Sequence, residues 1–262
     1  MTLSITPHAA TIHPAIRLPR LIAHRGLSAR APENTLSAVR AAQAAHCRWV
    51  ELDVQLLGDG TPVIWHDATV KRCSDGRARL ADLDLPRARR LDVGGWFGDE
   101  FRGERIATLS EMLALVDALG LGLNLELKVN RGRSAAALVE EAVPAALDAL
   151  PPERLIVSSF NDEALACARD QAPAARLALG VLFEGIPDGW RQRCEALDAF
   201  SVHADWTRLS RRGAMSISEA GYPLICYTAN DPAAFSHQWA WGVASVISDD
   251  PARFAGHLPA GE

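Results

Sequence analysis

The chain lacks the features by which several protein classes announce themselves. Its five cysteines, Cys47, Cys73, Cys167, Cys194 and Cys226, are odd in number and include no C-x-x-C pair. They form no even disulfide framework of the kind small secreted domains use, and they read as reduced, mostly packed thiols. Nothing approaches the roughly 18 consecutive apolar residues of a membrane-spanning helix, so no span is expected. The opening "MTLSITPHAATIHPAIRLPR" has no basic segment followed by an apolar one, and a cytoplasmic location is the expectation. Positive charge is not in excess either: 27 Lys and Arg stand against 32 Asp and Glu, a formal net charge of −5. That balance leaves no footprint for nucleic acid or an anionic lipid surface, but it permits a local basic pocket for a small anion. No G-x-G-x-x-G opens a first helix, and internal repeats and low-complexity tracts are missing. Nothing in the sequence bears on oligomeric state.

What is present is an alternation. Eight short apolar runs, "LIAH", "WVELDVQL", "LNLELKV", "LIVSSF", "RLALGVLF", "AFSVHAD", "PLICYTA" and "SVISDD", are separated by alanine-rich segments with helical spacing. Candidate helices cover residues 34–45, 134–150 with Pro144 as a kink, 161–171, 209–220 and 232–241. A further helix starts at Thr108, where "TLSE" has the spacing of a capping box. Eight strands alternating with helices over a chain of 262 residues predict an α/β fold, a single (β/α)8 TIM barrel spanning 1–262. One turn-rich stretch, 68–107, is too long for an ordinary connection and reads as a small insertion near the barrel mouth, following the second-strand hairpin.

The chemistry lies on strand faces. Side chains alternate along a strand, so Asn124, Glu126 and Lys128 share one face of "LNLELKV", and Glu51 and Asp53 share one face of "VELDVQL". Ionised groups pointing into a barrel must be matched by a metal, an ion pair or a substrate charge. Three carboxylates converging from two neighbouring strands suit a hard divalent cation, Mg2+ or Ca2+, better than Zn2+. A plain ion-pair network around Lys128 is the competing reading, and the company of histidines weighs against it. Taking Asp59-Gly60 as a two-residue hairpin turn pairs His66 with Asp53 on one face, while His24 reaches the same mouth from the end of the first strand. Two imidazoles beside a cation suit a general acid and a general base. Arg25 and Lys128 add the charges that recognise a phosphate. The other histidines, His8, His13, His46, His237 and His257, read as ordinary core or surface residues, with His203 undecided. Asn34, in "PENT", reads as a helix N-cap.

As a set, "AHRG", "PENT", "ELDVQ", "DGTPVIWHD" and "NLELK", continuing through "GGWF", "TLSE", "SSF" and "DDP", resemble the glycerophosphodiester phosphodiesterase family, and in particular its small cytosolic proteobacterial members. The resemblance implies the same barrel and insertion. It also implies hydrolysis of a small-molecule phosphodiester, a deacylated phospholipid, to an alcohol and sn-glycerol 3-phosphate, with the glycerol 2-hydroxyl attacking first to give a cyclic phosphate. Carried over by motif, His24 and His66 match the catalytic pair, Glu51, Asp53 and Glu126 the divalent-metal ligands, and Arg25 and Lys128 the phosphate contacts. An enzyme acting on lysophospholipids is the alternative, disfavoured by the charge-rich "RARRLDVGGWFGDEFRGER". Tyr227 in "CYTAN" and Ala107 in "IATL" depart from the Trp and Pro of many members. The first bears on the wall that meets glycerol or alcohol.

Overall fold

The computed structural model describes residues 11–259, so His8 lies outside the described residues. The eight apolar runs all become strands, and the candidate helices lie between them. The first units are β1 (Leu21–His24), α1 (Leu36–Ala44), β2 (Trp49–Leu56) and β3 (Pro62–Ile64). Next come α2 (Leu85–Ala88), α3 (Leu109–Ala118), β4 (Gly122–Leu127), α4 (Ala135–Ala149), β5 (Leu155–Ser159) and α5 (Asp162–Gln171). The chain continues through β6 (Ala178–Phe183), α6 (Trp190–Ala196), β7 (Ser201–Asp205) and α7 (Arg211–Glu219). It closes with β8 (Leu224–Tyr227), α8 (Pro232–Phe235) and β9 (Val243–Ser248). Sheet order runs β1-β9-β8-β7-β6-β5-β4-β2, with β1 also paired to β2, so eight parallel strands close on themselves. Antiparallel β3 is an addition to β2 outside that ring.

Local chemistry places the helix ends. Thr108 accepts from the Glu111 N–H while the Glu111 carboxylate accepts from the Thr108 N–H, the reciprocal capping box that "TLSE" predicted. Ser134 and Asn161 cap α4 and α5 one way only, each side-chain oxygen accepting from the backbone N–H three residues on. Pro144 is accommodated inside α4.

Strand parity divides the core into layers. Val50, Leu52 and Val54 on β2, with Leu123, Leu125 and Leu127 on β4, belong to the large cluster under the helices. The opposite parity faces the barrel axis, where Ile22, Trp49, Ile156, Ala178, Ile225 and Ile247 fill the interior. The interior is packed and not a pore. Gly122 shows how closely: a Cβ there would stand 2.1 Å from the Trp49 indole, so the ring is seated against bare backbone. The segment 68–107 has a separate cluster that includes Val70, Leu80 and Ile106, which packs onto Leu57, Val63 and Trp65 of the hairpin.

The hairpin corrects one expectation. Observed partners are Val54 with Ile64, Gln55 with Val63 and Leu56 with Pro62, one residue out of step with the register that pairs His66 with Asp53. The Leu57 N–H donates to the Thr61 carbonyl, so Gly58, Asp59 and Gly60 form a three-residue loop, with Gly60 at φ +87°. A three-residue loop closed by a left-handed glycine competes with the two-residue turn at any Asp-Gly, and one extra residue shifts the register. Trp65, not His66, bonds back to Asp53, through its backbone N–H to the Asp53 carbonyl.

Replacing Gly122 by Ala should therefore force Trp49 or the β4 backbone to move and cost about 1–3 kcal/mol, as overpacked cores do. Urea unfolding of the two proteins measures it; equal stability would mean that Trp49 has a second position.

Candidate active site

The closed sheet puts the ends of three strands, β1, β2 and β4, side by side. His24 pairs with Glu51 across β1 and β2, and Asp53 pairs with Glu126 across β2 and β4. Glu51, Asp53 and Glu126 are all buried, and each offers an oxygen within 4.8 Å of the others. Lys128 sets its Nζ 2.7 Å from Glu126 Oε1 and 3.5 Å from Asp53 Oδ1. Arg25 brings Nε to 3.3 Å from Asp53 Oδ2, and its backbone N–H donates to Glu51 Oε2 at 3.1 Å.

The acids respond differently to this crowding. Burial pushes Glu51 well up, and the neighbouring Asp53 and Glu126 charges push it further. Burial and Asp53 raise Glu126 to about 7. Asp53 also feels burial, but Lys128, Arg25 and His66 outweigh it and hold this carboxyl below its usual range. Burial would lower the Lys128 pKa, yet Asp53 and Glu126 together raise it.

Asn34 accounts for the rest of Asp53's environment and corrects a second expectation. Thr35, not Asn34, caps α1, its side chain accepting from the Ala38 N–H. Asn34 sits at φ +58°, a region Asn tolerates better than most residues, and its amide turns to the site. Its Nδ2 donates to Asp53 Oδ2 at 2.8 Å, and its Oδ1 accepts from the Asp53 N–H at 3.2 Å. Both residues of "NT" are polar short side chains able to cap, so the local pattern does not tell which one does.

Each imidazole of the pair has a carboxylate behind it. His24 Nδ1 lies 2.6 Å from Asp249 Oδ1, and Asp249 also accepts from Ser28 Oγ at 2.9 Å and Asn230 Nδ2 at 2.5 Å. His66 Nδ1 lies 2.7 Å from Asp67 Oδ1. Burial opposes ionisation of Asp249 and Asp67, but their hydrogen-bond donors hold both carboxyls down at about 2. Ionised carboxylates only accept, so Nδ1 carries the hydrogen in both rings and Nε2 is left for the pocket. Asp249 and Asp67 were not assigned in the sequence, although "DDP" and "WHD" contain them. Asp67 stands next to a candidate histidine, whereas no local signal brings Asp249 to His24 over 225 residues.

These groups line one cavity of about 270 Å³, to which His24, Arg25, Glu51, His66, Glu126 and Lys128 all contribute. Asp53 is tied beneath them, so all seven residues singled out in the sequence meet at one place. His66 reaches the mouth, within the field of Asp53, although not by the expected register. The facing wall is Phe160, Leu182, Tyr227 and Ile247. Phe160 stands edge-on to Tyr227 at 5.9 Å, and the Tyr227 hydroxyl donates to the Phe183 carbonyl, leaving its ring to the wall. His203 is not part of the site: it is fully buried in the barrel, bonded to Ser201 Oγ, and burial pushes its pKa to about 3.

A barrel whose carboxyl-end mouth sets buried acids and two held imidazoles against two cations is a barrel enzyme for an anionic substrate. Comparison with known proteins narrows this. The profile of the glycerophosphoryl diester phosphodiesterase family matches residues 24–253. A glycerophosphodiester phosphodiesterase of Caldanaerobacter subterraneus subsp. tengcongensis is 33% identical over 88% of this chain and 94% of its own. One from Bacillus altitudinis is 31% identical over 90% of this chain and 96% of its own. A phosphodiesterase of Oleispira antarctica, solved in complex with the product sn-glycerol-3-phosphate, superposes with a TM-score of 0.87 at 36% identity, covering 92% of this chain and 96% of that one. The chain belongs to the glycerophosphoryl diester phosphodiesterase family, and is an enzyme that hydrolyses glycerophosphodiesters. Among the described residues no helix is long and apolar enough to cross a membrane.

The family is divalent-metal dependent, and the residues present fit such an ion. All three candidate ligands supply oxygen, and the buried Asn124 Oδ1, on the same pocket wall, has no hydrogen-bond partner among the described residues.

Without metal, the raised pKa of Glu126 has a definite consequence. The folded protein holds a proton that the unfolded chain releases nearer its ordinary pKa, so stability is present at low pH and falls as pH rises from about 4.5 towards 7. Chelator-treated protein should lose more stability between pH 5 and pH 8 than Glu126→Gln, as read by urea unfolding. Parallel pH profiles would show that Glu126 is already ionised in the fold.

Proposed function

We propose that the chain hydrolyses glycerophosphodiesters such as glycerophosphocholine or glycerophosphoethanolamine to an alcohol and sn-glycerol 3-phosphate, using a divalent cation, Mg2+ or Ca2+, and two histidines. The observation that carries this reading is the single cavity in which carboxylates, cations and carboxylate-held imidazoles meet. The product bound by the Oleispira antarctica relative supports the glycerophosphodiester over the lysophospholipid as substrate.

Glu51, Asp53 and Glu126 would hold the cation, which when bound neutralises charge on the phosphate and stabilises the transition state. Arg25 and Lys128 hold the phosphate oxygens, their cost of burial already offset by the acids beside them. One neutral histidine takes the proton of the attacking glycerol 2-hydroxyl at Nε2, and the other, entering as imidazolium, gives its Nε2 proton to the leaving alkoxide, so the alcohol departs and a cyclic phosphate forms. With the roles exchanged, water adds to phosphorus, its proton going to the second ring while the first protonates the departing 2-oxygen, which gives sn-glycerol 3-phosphate. Asp249 and Asp67 keep both rings aimed and in the tautomer that leaves Nε2 facing the pocket. In the first step the tethered glycerol 2-hydroxyl takes the place of water as nucleophile, and such tethering contributes roughly 7–11 kcal/mol when well oriented.

Release of glycerol 3-phosphate from glycerophosphocholine should cease in excess chelator and return with added Mg2+ or Ca2+. Full activity in chelator would remove the cation from the reading. His24→Ala and His66→Ala should each lower turnover by roughly 10²- to 10⁴-fold, the range for a positioned acid or base. Losses below tenfold would make the histidines pocket lining only.

A further inference from the structure

We propose that Arg72, in the segment after the hairpin, is a positioning residue that ties the two sides of the active site together, holding His66 through Asp67 and Arg25 through Glu33. The proposal rests on the phosphodiesterase reading above. Arg72 does not itself line the cavity.

The contacts are complete on both sides of one guanidinium. Arg72 Nε donates to Asp67 Oδ2 at 2.8 Å and Nη2 to Asp67 Oδ1 at 3.0 Å. Nη1 donates to Glu33 Oε2 at 2.6 Å, and Nη2 to Glu33 Oε1 at 2.8 Å. Glu33 Oε1 in turn accepts from Arg25 Nη1 at 2.6 Å, and Asp67 Oδ1 from His66 Nδ1 at 2.7 Å. An unbroken chain thus runs His66, Asp67, Arg72, Glu33, Arg25, with charges alternating in sign from Asp67 onward. A planar fork with donors on both edges can hold both oxygens of two carboxylates in a fixed orientation, which the single Nζ of Lys, a point charge, does not do.

The consequence is geometric. Held by both oxygens, the Asp67 carboxylate cannot turn its Oδ1 away from the imidazole. Glu33 is likewise fixed, and with it the guanidinium of Arg25, whose Nε stands 3.3 Å from Asp53. Burial would raise the Glu33 pKa, but Arg72 and Arg25 outweigh it and keep this carboxyl ionised and gripping. The Arg72 side chain is 46% exposed, so its pairs contribute little to stability and its effect should appear in turnover instead.

The experiment uses the metal-loaded enzyme with glycerophosphocholine. Arg72→Ala and Arg72→Lys should each lower kcat, by up to about 10²-fold for a misplaced reacting group, with the thermal midpoint nearly unchanged. Asp67→Asn combined with Arg72→Ala should be little worse than Asp67→Asn alone, because one acts through the other. Millimolar guanidinium should restore part of the activity of Arg72→Ala, whose site is open to solvent, and none to His66→Ala. The hydrogen-bonded Nδ1 proton of His66 should give a resonance in the unaltered protein that broadens in Arg72→Ala and returns with guanidinium. That last readout needs no turnover, so it separates failure of this proposal from failure of the phosphodiesterase reading. A kcat within twofold of the unaltered enzyme, additive effects of the two substitutions, or an unchanged His66 resonance would each overturn the positioning role.

Discussion

Everything at the barrel mouth answers one electrostatic constraint, the convergence of Glu51, Asp53 and Glu126 where water scarcely reaches. Three carboxylates with oxygens within 4.8 Å of one another repel, and burial penalises each charged form separately. Lys128 and Arg25 relieve Asp53, which is the acid held below its usual range, while Glu51 and Glu126 are driven upward. Asn34 is spent on the same problem, giving a donor to the Asp53 carboxylate from a left-handed backbone position. An isolated cluster of this kind is a liability to the fold, and the proposed divalent cation would turn it into a ligand set. Binding of such a cation would relieve the charge crowding that Lys128 and Arg25 only partly offset.

The same economy of means governs the imidazoles. His24 and His66 approach from different parts of the chain, yet each has Nδ1 against a carboxylate held strongly acidic by its own donors. Ser28 and Asn230 serve Asp249, and Arg72 serves Asp67. Opposite them the wall is aromatic and aliphatic, with the Tyr227 hydroxyl turned away to the Phe183 carbonyl. The cavity is accordingly two-sided, charged where a phosphate would sit and apolar where a carbon skeleton would lie.

Much of this could be read in the sequence because strand parity is a local property. The alternation in "VELDVQL" and "NLELK" places acids inward and Val or Leu outward whatever the partner strands, and "TLSE" starts a helix by bonds that span three residues. The readings that failed depended on choices between near-equal local solutions. An Asp-Gly turn can close with two residues or three, and "NT" can cap with either residue. The chosen solution in each case is the one that satisfies something distant: the Gly58 backbone N–H donates to the Leu83 carbonyl of the segment beyond, and the Asn34 amide donates to Asp53.

The sequence by itself determined the strand and helix alternation, the inward face of each acidic strand and the pool of residues able to bind a cation or an oxyanion, because all of these follow from periodicity and side-chain type. Only the tertiary structure decided which groups meet. Closure of the sheet through β1–β2 and β1–β9 brings Asp249 to His24 across 225 positions, and packing of the 68–107 segment brings Arg72 to Glu33 across 39. The reason is physical: a carboxylate's partner is chosen by distance and desolvation in the folded chain, and neither quantity exists until the barrel has closed.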